Sequence, residues 1–225
     1  MTNRARLIPS RVPRHPAGMV LVLHGGASRG DQVAVSPTQL SVVRMIPVAT
    51  RVARAGRGRL AVFRLLNSTR GWDATHTPVD DVSWALGELR ERFPGLPFCL
   101  VGHSLGGRAA LLAAGQADVR SVVALAPWVY TSDGDAGLPP GRRVLVVHGD
   151  QDRVASPQRA AHVAQELRRS AEVGFVRVSG GGHAMLRHGS VFDRAAADFA
   201  TATLLGDEPG PPVSQVLGGQ QLVEV

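Results

Sequence analysis

The sequence predicts an α/β fold in which a mostly parallel sheet of six strands carries helices on both faces. Short runs rich in Val and Leu alternate with longer helical patterns, which is typical of a parallel sheet built from strand–helix–strand units. Each run is bounded by Gly or Pro and is largely apolar, as expected of strands buried on both faces. The predicted strands comprise residues 19–23, 60–63, 98–101, 121–126, 144–148 and 173–178.

Five predicted helices lie between or after these strands. The clearest begins at Thr77-Pro78, where a capping residue precedes a proline suited to the first helical turn, and ends before Pro94-Gly95. Ser156-Pro157 is a second start signal of this kind, for a helix through about Arg169. The other helices are predicted over residues 38–55 with Pro47 as a candidate kink, from Ser104 to near Gly115, and over residues 191–205.

The 225 residues, of which 44% are hydrophobic, are enough for one globular domain with a sizeable core. We expect this domain to span residues 17–205, after an N-terminal extension at residues 1–16. From residue 206 the composition changes, with several Gly, Pro and Gln residues, which predicts a flexible tail at 206–225. A docked strand at residues 221–225 is the alternative for that tail.

No part of the sequence resembles a targeting or membrane-spanning segment. The basic N-terminus lacks an apolar stretch, and no apolar run approaches the roughly 18 residues of a membrane span. The single cysteine, Cys99, cannot form an internal disulfide and is interpreted as a small buried apolar residue. A soluble cytoplasmic protein without a membrane partner is therefore the expectation.

The formal charge of +7 raises the question of a nucleic-acid partner. All 25 basic residues are arginine, their longest run is a pair, and no DNA- or RNA-binding motif is present, so no nucleic-acid partner is expected. The absence of lysine excludes three kinds of site that need one: a Walker A phosphate loop, a pyridoxal phosphate Schiff base and a Ser-x-x-Lys hydrolase site.

The strongest chemical signal is the segment Gly102-His103-Ser104-Leu105-Gly106, which joins a predicted strand to an Ala-rich helix. Glycines on both sides of the serine leave room for a strained turn, and such a turn lifts the serine side chain above the sheet. A chance G-x-S-x-G match is the alternative in a chain with 26 glycines. The strand–turn–helix context favours Ser104 as a nucleophile.

With this segment the sequence resembles the α/β-hydrolase fold family, over about residues 17–203. The first predicted strand ends in Leu23-His24-Gly25-Gly26, which is similar to the oxyanion loop of that family. The resemblance implies that the backbone amides of Gly26 and Leu105 hold the developing oxyanion. A plain Gly-rich turn is the alternative reading of the loop.

Two further segments match the order of nucleophile, acid and histidine in that family. The segment at 148–152, His-Gly-Asp-Gln-Asp, implies that Asp152 is the acid, and Gly180-Gly181-Gly182-His183 implies that His183 is the general base. Asp150 and Asp133 compete with Asp152 as candidate acids, and a turn aspartate is the alternative role. The chemistry that the resemblance implies needs no cofactor and no metal, and the spacing of the histidines does not predict a metal site.

Several other residues are expected to line or support the site. Trp72, Trp128 and Tyr130 follow predicted strand ends, where an open α/β sheet has its ligand crevice, and Met185 follows the histidine loop. These four are candidate pocket residues, with packing under loops as the alternative. The other histidines beside these motifs, His24, His103 and His148, are expected to brace loops through hydrogen bonds.

The resemblance implies a serine hydrolase that cleaves a carboxylic ester or thioester of modest size through an acyl-enzyme. Only about 17 residues, 127–143, separate the two strands between which many relatives insert a cap, so we expect no lid. The short N-terminus predicts that the first hairpin of a full fold is absent or reduced. Acyl transfer to an alcohol or amine, or a non-catalytic basic binding protein on the same scaffold, are the alternatives. The sequence leaves the oligomeric state open.

Overall fold

The computed structural model describes residues 5–26, 33–72, 75–135 and 137–225, and its centre is one eight-stranded sheet. The strands lie in the order β1-β3-β2-β4-β5-β6-β7-β8, and all neighbours are parallel except β1 and β3. Their bounds are β1 Arg6–Arg11, β2 Gly18–Leu23, β3 Leu60–Leu66, β4 Phe98–His103, β5 Val119–Leu125, β6 Arg143–Gly149, β7 Glu172–Val178 and β8 Leu222–Glu224. The α/β class and mostly parallel sheet are confirmed, with eight strands instead of six.

Seven helices of the described residues cover the sheet on both faces. Their bounds are α1 Leu40–Val43, α2 Met45–Ala55, α3 Thr77–Arg92, α4 Leu105–Leu112, α5 Pro157–Leu167, α6 Gly189–Leu205 and α7 Val213–Leu217. Helices α3, α4 and α5 contribute to the apolar cluster on one face, and α2, α6 and α7 contribute to the cluster on the other. None of these helices is long and apolar enough to cross a bilayer.

Helix α2 begins just before Pro47, where the sequence predicted a kink in one longer helix. The break lies at Arg44, between α1 and α2, so Pro47 is the third residue of α2. A proline in the first turn of a helix removes an N–H that has no partner there, whereas inside a helix it would clash with the carbonyl four residues earlier. The new helix α2 therefore begins at a position that places Pro47 in its first turn.

Strand β1 lies in the segment that was expected to be an N-terminal extension. It pairs antiparallel with β3, and Pro9 is tolerated because β1 is at the edge of the sheet. Its side chains are mostly exposed, and Ile8 packs against a small cluster that contains Val35, Val42 and Leu66. Backbone pairing holds this strand, which explains why its sequence lacks a clear hydrophobic pattern.

The C-terminal segment differs from the predicted flexible tail, because residues 206–225 contain α7 and β8. Strand β8 pairs parallel with β7, as the alternative of a docked strand proposed. Val213 and Val223 are buried, and Val216 lies so close over Gly174 that no side chain would fit there. A few well-placed valines dock the segment, although its overall composition suggests disorder.

Candidate active site

Ser104 lies at the tight turn between β4 and α4, at the carboxyl end of the central strands. Its backbone has φ +55° and ψ −121°, a conformation that L-residues rarely adopt. A side chain on Gly102 would overlap the backbone of Gly106, and one on Gly106 would overlap the backbone at the end of β2. The two glycines therefore permit the turn that carries the serine.

The three residues predicted as nucleophile, acid and base lie together at this edge of the sheet. The Nε2 atom of His183 is 3.0 Å from Ser104 Oγ, and its Nδ1 atom is 2.8 Å from Asp152 Oδ2. In the neutral tautomer that fits, Nδ1–H donates to the carboxylate and Nε2 accepts from the serine hydroxyl. This is the hydrogen-bonded chain that nucleophilic catalysis by serine requires.

Asp152 accepts hydrogen bonds on both of its carboxylate oxygens. Its Oδ1 atom accepts the backbone N–H groups of Val154 at 2.8 Å and Ala155 at 2.9 Å, while Oδ2 also lies 3.1 Å from Nε2 of His148. Burial alone would raise the pKa of Asp152, but the hydrogen bonds from His148, His183, Ala155 and Val154 hold it well below its ordinary value. The carboxylate therefore stays ionised beside the histidine.

The two competing aspartates have other partners. Asp150 accepts the backbone N–H of Gly180 at 2.8 Å, so it supports the loop that carries His183 without bonding to the imidazole. Asp133 accepts two hydrogen bonds from the guanidinium of Arg108, at 2.7 and 2.9 Å. The geometry therefore favours Asp152 over both as the acid.

Two further histidines support the loops around the serine, as their positions beside the motifs predicted. His103 Nε2 lies 2.9 Å from the backbone oxygen of His183, and burial lowers the pKa of His103 to about 3, which keeps it neutral. His24 Nε2 accepts the N–H of Asn67, so its Nδ1–H donates to the oxygen of Gly25. Burial lowers the pKa of His24 as well.

The predicted oxyanion residues flank the serine. Leu105 is the first residue of α4, where backbone N–H groups have no acceptor within the helix. A Cβ placed on Gly25 would lie 3.1 Å from the Cβ of Ser104, and one on Gly26 would lie 3.6 Å from Leu105 Cδ1. The chain after β2 thus passes directly beside the turn, and the roles of Gly26 and Leu105 as oxyanion donors stay predictions.

Three of the predicted pocket residues form a group that we call the aromatic wall, namely Trp72, Trp128 and Tyr130. The backbone N–H of Trp128 donates to the backbone oxygen of Ser104 at 3.1 Å. The Trp128 ring contacts the Tyr130 ring edge-on, with 5.0 Å between the ring centroids. The guanidinium of Arg108 lies 4.1 Å from the Trp72 ring centroid and 4.5 Å from that of Tyr130. The wall is therefore tied both to the serine turn and to α4.

The ion pair between Arg108 and Asp133 is a feature that the sequence interpretation missed. Both side chains are buried, with 7% and 5% of their surface exposed. Asp133 also accepts the N–H of Tyr130, so the pair connects α4 to the loop after β5. An arginine four residues after the nucleophile, in an otherwise apolar helix, is the signal that could have revealed it.

Met185 lies apart from the aromatic wall. It is buried, it has a positive φ of 55°, and it packs with the apolar cluster of α2 and α6, whereas Trp72 packs against the cluster of α3, α4 and α5. The four predicted pocket residues are therefore divided between the two faces of the sheet. Their role in lining a substrate pocket stays a prediction.

Two further observations concern the single cysteine and the metal-binding side chains of the described residues. Cys99 is fully buried, and burial raises the pKa of its thiol to about 12, so it is not a thiolate nucleophile. Within the described ranges, no three His, Cys, Asp or Glu side chains are grouped as metal ligands would be.

Solved structures with this fold cover most of the chain. Est1E from Butyrivibrio proteoclasticus with bound ferulic acid is 14% identical over 88% of this chain and 95% of that chain, with a TM-score of 0.64. A serine hydrolase without a lid from Xanthomonas campestris is 21% identical over 91% and 90%, with a TM-score of 0.65. The Pyrococcus furiosus esterase Pf2001 is 12% identical over 84% of each chain, with a TM-score of 0.66.

At these identities the solved structures establish the fold, which is that of α/β-hydrolases without a lid. No curated protein matches the sequence significantly. Residues 14–144, more than half of the chain, match the family model described as serine aminopeptidase, S33. The chain therefore belongs to this S33 family of α/β serine hydrolases.

Proposed function

We propose that the protein hydrolyses a carboxylic ester or thioester of modest size through an acyl-enzyme on Ser104. The observation that carries this proposal is the continuous hydrogen-bonded chain from Ser104 Oγ through His183 to Asp152, with heavy-atom distances of 3.0 and 2.8 Å. Membership of a serine hydrolase family and the likeness to esterase folds support it.

Acylation begins when Ser104 Oγ forms a bond to the carbonyl carbon and its proton passes to Nε2 of His183. The negative charge that develops on the carbonyl oxygen is held by the amides of Leu105 and Gly26, and one such donor typically contributes about 3–4 kcal/mol. The bond to the alkoxy or thiolate group then breaks, and His183 returns the proton to that group. The free alcohol or thiol leaves an acyl-Ser104 ester.

Deacylation repeats these steps with water as the nucleophile. His183 takes a proton from water, the hydroxide forms a bond to the acyl carbon, and Ser104 recovers its proton as the carboxylic acid leaves. Asp152 stays ionised throughout, because its four hydrogen-bond donors favour the charged form. It fixes the histidine tautomer and stabilises the imidazolium.

The substrates to be tested are chosen both from the similar proteins and from the residues beside Ser104. Ferulic acid bound to Est1E makes feruloyl esters reasonable members, and the aromatic wall beside Ser104 supports aryl acyl groups. The family description makes amino-acid p-nitroanilides the necessary comparison. Added alcohol acceptors would separate acyl transfer from hydrolysis, because transfer yields a new ester in place of an acid.

The decisive test uses a fluorophosphonate probe and a p-nitrophenyl ester. The wild-type chain should be labelled and should release p-nitrophenol, whereas Ser104→Ala should do neither and should remain folded by circular dichroism. Ser214→Ala, which changes an exposed serine on α7, is the matched control and should behave as wild type. Labelling of the Ser104→Ala protein would show another nucleophile and would refute the proposal.

A further inference from the structure

An apolar groove lies beside the loop that carries His183. Its volume is about 290 Å³, and it is lined by Leu40, Val43 and Pro47 of the α1–α2 region and by Ala184, Met185 and Leu186 of the histidine loop. Leu40 is 78% exposed and Leu186 is 81% exposed, which is unusual for two leucines that face one depression. We call this surface the leaving-group groove.

The topology places the groove at the same edge of the sheet as the serine. Helix α1 follows β2, and α6 follows β7 through the histidine loop, so both helices begin at the carboxyl end of the parallel strands. Met185 is two residues beyond His183, and its N–H bonds to the oxygen of Gly182 in a tight turn. The apolar residues of that turn therefore follow His183 directly along the chain.

The groove and the aromatic wall lie on opposite faces of the sheet. Trp72 packs with the apolar cluster beneath α3, α4 and α5, while Met185 packs with the cluster beneath α2 and α6. The serine lies between them, at the end of the central strand β4. A substrate seated on Ser104 can therefore extend one part over each face.

The chemistry decides which part of the substrate meets the groove. His183 must give its proton to the leaving oxygen, so that oxygen has to come within hydrogen-bond reach of Nε2, about 3 Å. The carbon chain attached to the leaving oxygen consequently starts beside His183, whose loop continues into the groove residues Ala184 and Met185. The acyl chain has to leave the carbonyl carbon in the other direction, towards the aromatic wall.

We propose that the leaving-group groove binds the alcohol part of the ester, and that esters of uncharged apolar alcohols are the preferred substrates. Arg44 and Asp193 also line the groove and carry opposite charges, which favours a neutral occupant over a charged one. The volume of about 290 Å³ is roughly ten times the ~30 Å³ that one water occupies in the liquid, so an alcohol of six carbons fits within the groove. This inference rests on the proposed ester hydrolysis.

The test compares acetate esters of alcohols from methanol to hexanol. All of them form the same acetyl-enzyme, so deacylation is common to the series and differences in kcat/KM report on the leaving group. We expect kcat/KM to rise by up to about fourfold for each methylene removed from water. The variants Leu40→Ser and Leu186→Ser should lower the hexyl acetate to methyl acetate ratio about tenfold, because they make the groove polar.

Two controls separate the groove from other effects. Leu222→Ser changes a half-exposed leucine on β8, four strands from β4, and should leave the ratio within twofold of wild type. In the Leu40 and Leu186 variants, the methyl hexanoate to methyl acetate ratio should stay at the wild-type value, since the acyl chain lies on the other side of Ser104.

The outcomes are distinguishable. A folded chain that cleaves no ester refutes the proposed function itself, whereas a chain that cleaves esters without regard to alcohol length refutes only the groove assignment. An unchanged ratio in both leucine variants also refutes it. If those variants instead lose self-association or binding to phosphatidylcholine vesicles with the ratio unchanged, the groove is a docking surface and the inference is wrong.

Discussion

At the scale of single residues, the Oδ2 atom of Asp152 lies within hydrogen-bond distance of two histidines, His148 and His183. The other candidate acids have different partners, a backbone N–H for Asp150 and a guanidinium for Asp133. We therefore predict that Asp152→Asn lowers kcat at least a hundredfold, since loss of the acid costs about 10⁴ in other triads. Asp150→Asn should cost less than tenfold in steady-state assays of folded protein. A larger loss at Asp150 would assign the acid to that residue.

His148 should help to hold the Asp152 carboxylate that orients His183. His148 is fully buried and lies 3.1 Å from Asp152 Oδ2, which also accepts from His183. Replacing it by Phe removes one hydrogen-bond donor from that oxygen, so the carboxylate and His183 should be held less precisely. We expect kcat to fall by up to about a hundredfold, because a small misplacement of a catalytic group can cost that much. Steady-state assays of the folded variant measure this, and an unchanged kcat would mean that His148 only supports the fold.

His103 should make the stability of the protein depend on pH. Its pKa is about 3 in the folded chain, against an ordinary value of 6.5, so the unfolded chain binds more protons between these values. Stability should therefore fall as pH falls below about 6.5, by about 2 kcal/mol between pH 6.5 and 5 for one such group. Urea unfolding of wild type and His103→Gln at both pH values measures this. Equal losses in the two proteins would contradict it.

At the scale of elements, the ion pair between Arg108 and Asp133 joins α4 to the loop after β5. Asp133→Asn leaves a buried guanidinium without its carboxylate and should destabilise the protein by about 3–5 kcal/mol in urea unfolding. The double variant Arg108→Met with Asp133→Leu should recover most of this loss, because it leaves no buried charge. A double variant as unstable as Asp133→Asn would show that the cost comes from packing.

The C-terminal elements should contribute to stability although their sequence resembles a linker. Removing residues 206–225 uncovers β7 and the surfaces that the valines of α7 and β8 bury, and each such valine contributes about 1.5 kcal/mol or more. We expect the truncated protein to have a lower Tm by calorimetry than the full chain, although it keeps Ser104, Asp152 and His183. Gly174→Val tests the same contact in the full chain, since Val216 occupies the space above that glycine. Unchanged melting in both proteins would contradict the docking.

The elements that the sequence predicted are those with a local cause. Strands β2 and β4 are apolar along nearly their whole length, and proline fixes the starts of α3 and α5. The edge strands β1 and β8 depend on backbone pairing with strands far away in the chain, so their own sequences carry little signal. The same reason applies to the site. Ser104 sits in a recognisable turn, whereas Asp133 meets Arg108 across 25 residues of sequence.

At the scale of the whole molecule, the connection between β5 and β6 is too short for a lid. Its described residues form only one 3-10 turn, Thr131–Gly134, so the serine edge is not covered from that side. Acyl chains from acetyl to hexanoyl should be cleaved faster than palmitoyl, because long chains need an apolar covered channel. Rates measured across the critical micelle concentration should show no jump. A sharp rise above it would indicate interfacial activation.

The two ends of the sheet also bear on how the chain behaves at high concentration. An exposed strand edge is a template on which another chain can add, and long flat edges lead to aggregation. Here β1, the edge strand, contains Pro9, which has no N–H to donate, and a register irregularity follows it. At the other end, β8 is only three residues long, and Glu224 forms an ion pair with Arg177. Neither edge presents an uninterrupted ladder, so we expect the folded protein to resist the edge-to-edge stacking that leads to fibrils.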